Sequence, residues 1–555
     1  MKKIDALEKR WGKVQVGPIF PNVLDENHLV ETLENTQTLK GHSGCVNTLR
    51  WNKKGDILAS GSDDRRVKLW RAGSELLNLE TEHEGNVFAV EFLPGSEDRM
   101  LVTGAADRVI FLHDLETKTS RKWECGGRIK RICTAEQATS MFWAASERDG
   151  KVIQMDTRLG VPEYVVKPGP TNPQGSGVKS VAVSEAKPNL LLVGFEETPV
   201  RLYDRRRFDE PVLTFAPLDT TPHTYHSTHV AFNKTGTEIV VNQGAGGSVV
   251  VFSLDSDKDP RVMERFHQVL AEPREPVIMS SALPHAEIRE QGSSSIRGKL
   301  FHRADDFYTD LILRNDPNRA FRSVCHSNRA TALLLRRLKG DTYACIRDSV
   351  TALEIHRGNS KALFRLIKSF ASLEHKTLAM KCIEKYKEWF PGDTSIAKLE
   401  EEVELLGPSE DPEMDVIDGQ VDYQQRFTGP TNHQTDIKEA NFFGSRDQYI
   451  VAGSDCGHMY IWNRDTQKLM GLWSADQHIL NIIQPHPDAF LLASSGIDDE
   501  IRLWSPQLER SADFVSRKVA DPFDFIEKKG GDFASGIHVH VIRDLVRGNR
   551  QCVQS

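Results

Sequence analysis

Residues 41–70 read GHSGCVNTLRWNKKGDILASGSDDRRVKLW. Two alternating apolar runs flank Lys54-Gly55-Asp56, a third follows the Asp63-Asp64 turn, and Leu69-Trp70 closes the stretch. Alternation with period two between Gly- and Asp-rich turns predicts short antiparallel strands, not helices. A sheet of four such strands cannot bury both its faces alone, so one repeat requires others stacked on it.

Working outward, segments aligned to Trp70 end at His113, Met155, Tyr203, Phe252, Trp462 and Trp504, at intervals of 43, 42, 48, 49, 210 and 42 residues. An aliphatic stands three residues before each: Val67, Ile110, Val152, Val200, Val249, Met459 and Ile501. The turn acid returns as Asp107, Asp149, Glu197 and Asp498, and the opening histidine as His83, His223 and His433. The pattern resembles WD repeats, in which His, Ser or Thr, Asp and Trp form a hydrogen-bonded chain. In the first repeat these are His42, Ser60, Asp64 and Trp70. All four opening histidines therefore read as structural. Seven ends predict a seven-bladed β-propeller, and TQTLK at 36–40 is the candidate strand that removes its open edges.

The 210-residue step holds one repeat plus an insertion whose period is helical. Ala304, Tyr308 and Leu311, then Asn328-Arg329-Ala330, Ala352 and Leu353, then Ala362, Leu363 and Ala379 place small and apolar residues at helix-crossing spacing. Cys345 and Ala379 are 34 residues apart, so the insertion resembles tetratricopeptide repeats, in three motifs at about 285–318, 324–358 and 360–393. The fold class expected is mixed: an all-β seven-bladed WD-repeat propeller with an all-α tetratricopeptide insertion between blades five and six. The expected division is an N-terminal segment 1–33, blades one to five with the closing strand at 34–256, an extended proline-bearing linker 257–284, and helical repeats 285–396. An acidic, flexible linker 397–430, blades six and seven at 431–507, and a tail 508–555 without an assignable pattern complete it.

Bulk properties narrow the function. The 555 residues carry a net charge of -8, and 397–418 alone hold nine Asp or Glu against one Lys. No basic surface points to nucleic acid. Eight cysteines stand singly with no CxxC pair, as in a reducing compartment. No secretory signal and no 18-residue apolar run is present, so neither export nor a membrane is expected, and the expected location is cytoplasmic and nuclear. GSGVKS at 175–180 lacks the strand–loop–helix context of a phosphate loop, and His538-Val539-His540 lacks further ligands at metal spacing. No cofactor, metal or catalytic constellation is expected, so the chain reads as a non-enzymatic interaction protein.

The order of repeats, with the strings GHSGCVNTLRWNKKGDILASGSDD, TDIKEANFFGSRDQYIVAGSD and SSGIDDEIRLW, is similar to the WD and tetratricopeptide repeats protein 1 (adipose) family over roughly 34–507. That resemblance implies a substrate receptor of a cullin-4 RING ubiquitin ligase, which docks on the ligase's propeller adaptor and recruits protein targets. It also implies a part in restraining fat storage and in chromatin-linked repression. The alternative is a scaffold without a ligase role that binds histones or corepressors.

Two candidate sites follow. Met155-Asp156-Thr157-Arg158 and Tyr203-Asp204-Arg205-Arg206 resemble the WDxR box of cullin-4 receptors, with Met and Tyr in place of Trp. Asp156, Arg158, Asp204 and Arg206 are thus the adaptor-binding candidates, since a planar guanidinium at a strand end suits a partner's carbonyls or carboxylates. The alternative is an Arg that merely pairs with its neighbouring Asp. Some tetratricopeptide domains also clamp the C-terminal carboxylates of heat-shock chaperones with Lys and Asn, then Asn, then Lys and Arg. The matching positions are Arg289 and Ser293, then Asn328, then Lys361 and Arg365, a peptide groove for acidic C-termini.

Overall fold

A computed structural model describes residues 26–166, 177–217, 226–244, 246, 248–258, 260–276, 286–407, 420–507 and 515–534. The stretch 41–70 forms what its alternation predicts. Strands Val46–Trp51, Leu58–Ser62 and Arg66–Arg71, with Ser74–Glu80 outside them, pair antiparallel in that order. The Asp63-Asp64 turn works because Arg65 takes a left-handed φ of 61° while the Asp64 carboxylate accepts the Arg66 N–H at 2.9 Å. His42 Nδ1 meets Asp64 Oδ2 at 2.8 Å and its Nε2 meets Ser60 Oγ at 2.8 Å; Trp70 Nε1 donates to the same Oγ at 2.9 Å. The second repeat rebuilds this chain with His83, Asp107, Thr103 and His113.

Seven sheets of this kind occur among the described residues. Trp70, His113, Met155, Tyr203, Phe252, Trp462 and Trp504 each fall in a third strand. The innermost strands touch in cyclic order, from 46–51 through 87–92, 129–134, 178–183, 227–232, 440–443 and 480–485 back to 46–51. The close approach of neighbouring sheets selects glycine in the second strands. A Cβ on Gly104 would stand 2.4 Å from Ile129 Cγ2 of the next sheet. The outer strand of the seventh sheet is Leu33–Lys40, paired antiparallel from Leu33 opposite Pro506 to Lys40 opposite Glu500, so a strand that precedes the first sheet in sequence covers the open edge of the seventh.

α1 (Glu26–Glu31) packs against the sixth and seventh sheets, and the helical region begins with α2 (Val262–Ala271) and then forms three pairs: α3 (Ala286–Arg297) with α4 (Phe301–Leu313), α5 (Arg319–Arg336) with α6 (Asp341–Ile355), and α7 (Ser360–Ser372) with α8 (Lys376–Trp389). α9 (Ala397–Glu404) follows, and α10 (Pro522–Ala534) comes after the seventh sheet. Asn318 and Asn359 start α5 and α7 because their side chains accept the N–H groups of Phe321 and Ala362.

Four expectations are corrected. The helices do not separate the fifth sheet from the sixth; they interrupt the fifth. Its outer strand is Gln425–Phe427, which returns after α9 to pair with Val249–Ser253. Just before it, Gln420–Val421 adds a parallel fifth strand to the fourth sheet. Segments of two and three residues carry no periodicity, so neither was legible in 397–430, whose residues 408–419 lie outside the described set. Residues 257–284 are not simply extended, since α2 buries Val262, Met263, Phe266, Val269 and Leu270. His433 is exposed and, among the described residues, offers its backbone N–H to Asp455 and no ring nitrogen to a hydrogen-bonded chain. His223 lies outside the described residues.

Helices and sheets share one core. Leu202, Phe215, Val230 and Phe252 of the fourth and fifth sheets join Phe266, Tyr343, Leu366 and Ile383 of the helices, with Val421 and Tyr423 of the returning segment between them. Polar ties flank that core. Tyr343 Oη donates to Asp422 at 2.7 Å, Arg426 to Asp341 at 2.8 Å and Lys468 to Asp310 at 2.8 Å. The helices are therefore fixed against the ring by α4, α6 and the returning segment.

Candidate functional site: the strand ends of the third and fourth sheets

Each box is built on an Asp-centred turn. Asp156 Oδ1 accepts the backbone N–H of Arg158 at 2.9 Å, and Asp204 Oδ1 that of Arg206 at 3.0 Å. The turn folds the Arg back so that its guanidinium lies side-on to the same carboxylate. Arg158 donates through Nε at 3.0 Å and Nη2 at 2.7 Å; Arg206 does so at 2.9 and 2.5 Å. These hydrogen bonds hold both Asp156 and Asp204 at a pKa of about 2. Side-on pairing uses two of five N–H donors, and the Arg side chains stay 73% and 72% exposed. Met155 and Tyr203, which stand where Trp would, are buried and anchor the strands instead.

Both boxes end third strands of adjacent sheets that run the same way, so they open on the ring face away from the Asp64-type turns. Sequence reading missed a third member. Asp114 ends the third strand of the second sheet and is held side-on by Arg99, at 3.0 Å through Nε and 2.5 Å through Nη2. Arg99 precedes its Asp by fifteen residues, so no box motif flags it. The same face carries unusual apolar exposure. Leu159 is 77% exposed and Val161 70%, immediately after the first box, and Val212, just after the second, is 52% exposed.

The groove candidates also converge. Arg365 donates to Ser327 Oγ at 2.5 Å beside Asn328, and burial pulls its pKa down to about 10, which leaves it cationic at neutral pH. Tyr308 is wholly buried and its hydroxyl has no hydrogen bond of regular geometry; burial raises its pKa, with Ser293, Asn328 and Arg365 opposing. Gly292 leaves room for this ring, since a Cβ there would stand 2.6 Å from Tyr308 Cζ. Arg289 acts on Cys325 of α5, and Lys361 is exposed one turn before Arg365. These residues lie on α3, α5 and α7, whereas the ties to the ring come mainly from α4 and α6.

Two other clusters are structural. A cavity of about 290 Å³ lies between α4–α6, the returning segment and α10, but its arginines are neutralised: Arg329 by Asp348, Arg336 by Asp305 and Asp341, Arg347 by Asp422. Asp476, His478 and Asp498 place one ligand atom each within 4.8 Å of one another. The Asp476 oxygens already accept N–H groups from His478, Ile479 and Asp498, and Arg502 donates to Asp498, so the cluster is a satisfied turn. His538 and His540 lie outside the described residues.

The chain is similar to several known proteins. The WD40 family model (WD domain, G-beta repeat) matches residues 33–71. The DDB1- and CUL4-associated factor 6 of Homo sapiens is 50% identical over 95 residues, 17% of this chain and 11% of that protein. A solved structure, the Cps50 (Swd1) β-propeller domain of Myceliophteria thermophila, gives a TM-score of 0.47 at 14% identity, covering 86% of this chain and 100% of that one. WD and tetratricopeptide repeats protein 1 of Homo sapiens is 32% identical, across 87% of this chain and 86% of its own length. A ring of WD-type sheets with a helical region, matched over nearly its whole length at that identity, places the chain in the WD and tetratricopeptide repeats protein 1 family.

Proposed function

We propose that this chain is a non-catalytic substrate receptor of a cullin-4 RING ubiquitin ligase, with its seven sheets as the blades of one closed propeller and its helix pairs as tetratricopeptide repeats. The observation that carries the reading is the face built by Asp156–Arg158 and Asp204–Arg206, rimmed by exposed Leu159, Val161 and Val212. Planar guanidiniums with spare N–H donors, flanked by apolar side chains, are the composition of an interface centre. The likeness to a protein named as DDB1- and CUL4-associated supports the same partner. The adaptor binds this face, while the opposite face and the helices select targets, and ubiquitin transfer is performed by the ligase's other subunits. Residence in cytoplasm and nucleus and a part in restraining fat storage accompany this reading.

The test is co-purification of the adaptor with the wild type and with Arg158→Ala plus Arg206→Ala. Both residues are exposed, so the double variant folds, and its recovery of adaptor should fall by tenfold or more, about 1.4 kcal/mol. Undiminished recovery overturns the reading, and a wild type that binds histones or corepressors but no adaptor supports a plain scaffold instead. The groove of Arg289, Asn328, Lys361 and Arg365 is proposed to take acidic C-terminal peptides. A labelled acidic peptide should bind saturably, and Lys361→Glu should abolish the binding.

A further inference from the structure

We propose that Arg205, the residue between Asp204 and Arg206, is the open charge of this docking face and receives an Asp or Glu carboxylate of the partner protein; the inference rests on the docking reading above. The guanidiniums of Arg158 and Arg206 are already neutralised by their own aspartates, so each presents a dipole more than a charge. Arg205 is different. Its Cζ sits 4.1 Å over the ring of Trp143, and its Nε and Nη1 are enclosed without a hydrogen-bond partner among the described residues. Its backbone N–H donates to Asn189 O at 2.7 Å, which fixes the turn that aims it. Trp143 is equally fixed: it is fully buried, and its Nε1 donates to Gln154 Oε1 at 2.8 Å.

Trp143 belongs to the second strand of the third sheet and pairs with Gln154, two residues before Asp156. Arg205 thus reaches from the box of the fourth sheet across the seam to the second strand of the third. Burial pulls its pKa below the ordinary arginine value, the mark of a cation whose hydration is only partly replaced. Stacking on an indole offsets part of that loss. Two enclosed donors without acceptors remain costly, and a carboxylate arriving at the open Nη2 side would satisfy the fork. A polyanion fits poorly, because Asp204 stands next to the position and acts on it, and the chain is net negative. A single acidic side chain among apolar neighbours fits well, since Leu159, Val161 and Val212 provide the apolar contact.

The experiment measures the affinity of the purified cullin-4 adaptor for the full chain by biolayer interferometry at low and high salt. Arg205→Gln keeps the aliphatic cover over Trp143 and removes the charge. It should bind about thirtyfold or more weakly, and its affinity should depend less on salt. Arg205→Lys keeps the charge without the planar fork and should bind about tenfold more weakly. Affinity of Arg205→Gln within about twofold of wild type overturns the inference. If the Gln variant melts early, the Lys variant decides, and unchanged affinity of that variant overturns it too. Wild type that binds no adaptor refutes the docking reading and this inference with it, whereas wild type that binds equally with both variants refutes only Arg205.

Discussion

Replacing Asp341 by asparagine should loosen the junction between helices and ring more than any exposed ion pair can. Asp341 is wholly buried at the start of α6. Its carboxylate accepts Arg336 Nε at 2.9 Å and Nη2 at 2.8 Å, Arg426 Nη1 at 2.8 Å and the Leu338 N–H at 2.9 Å. Burial alone would raise its pKa, but the two guanidiniums outweigh it and bring the group to about 2. Against an ordinary value near 3.9, ionisation alone is linked to about 2–3 kcal/mol of stability. Removing one partner of a buried ion network costs about 3–5 kcal/mol, because both arginines remain buried with one anion fewer. The sign is that of a depressed carboxylate: the contribution is complete above about pH 4 and is lost as pH falls toward 2. Hydrogen exchange of the Leu338 amide and of α6 reads the local opening. The Asn variant should exchange about a hundredfold faster at pH 7, and the gap from wild type should narrow in exchange extrapolated from pH 4 to lower pH. Acceleration of less than about fivefold at pH 7, or a gap that does not depend on pH, would refute the reasoning.

Two further outcomes follow from the same physics. His42→Ala strips half-buried Asp64 and buried Ser60 of their shared partner and should lower stability by about 1–3 kcal/mol, read as a shift in urea midpoint; burial would raise the Asp64 pKa and the His42 hydrogen bond holds it down, so the deficit of the variant should shrink as pH falls below about 4. Asp306 runs the opposite way, since burial beside Asp305 and Asp310 raises it to about 6. A carboxylate raised on folding contributes stability below about pH 4 and loses it as pH rises through 6, so Asp306→Asn should stabilise the protein by about 1–2 kcal/mol at pH 8 and not at pH 4. Thermal melts at the two pH values check this.

The helices that hold these groups also show how far a reading from sequence extends. The helical period of the insertion was legible, but the helix starts were not read from it: α5 starts at Arg319 because the Asn318 cap sets the start. The two Asp-x-Arg boxes were legible as strings, but their geometry was open between a free and a self-paired arginine. The structure has each Arg bonded to its own Asp and still exposed, so self-pairing orients the guanidinium without hiding it.

What the sequence determined by itself is everything with a short period. The 42-residue grid, the His42–Asp64–Ser60–Trp70 chain and the third-strand ends are set within single repeats, where strand alternation and turn chemistry act over a few residues. Only the tertiary structure decided which segment completes the fifth sheet, how the helices lock to the ring, and where Arg205 rests. Gln425–Phe427 finds Val249–Ser253 across more than 170 residues, and Arg205 finds Trp143 across the seam between two sheets. Such contacts are chosen by burial and charge once the ring is assembled. A three-residue strand or a lone arginine carries no periodic signal that would announce them.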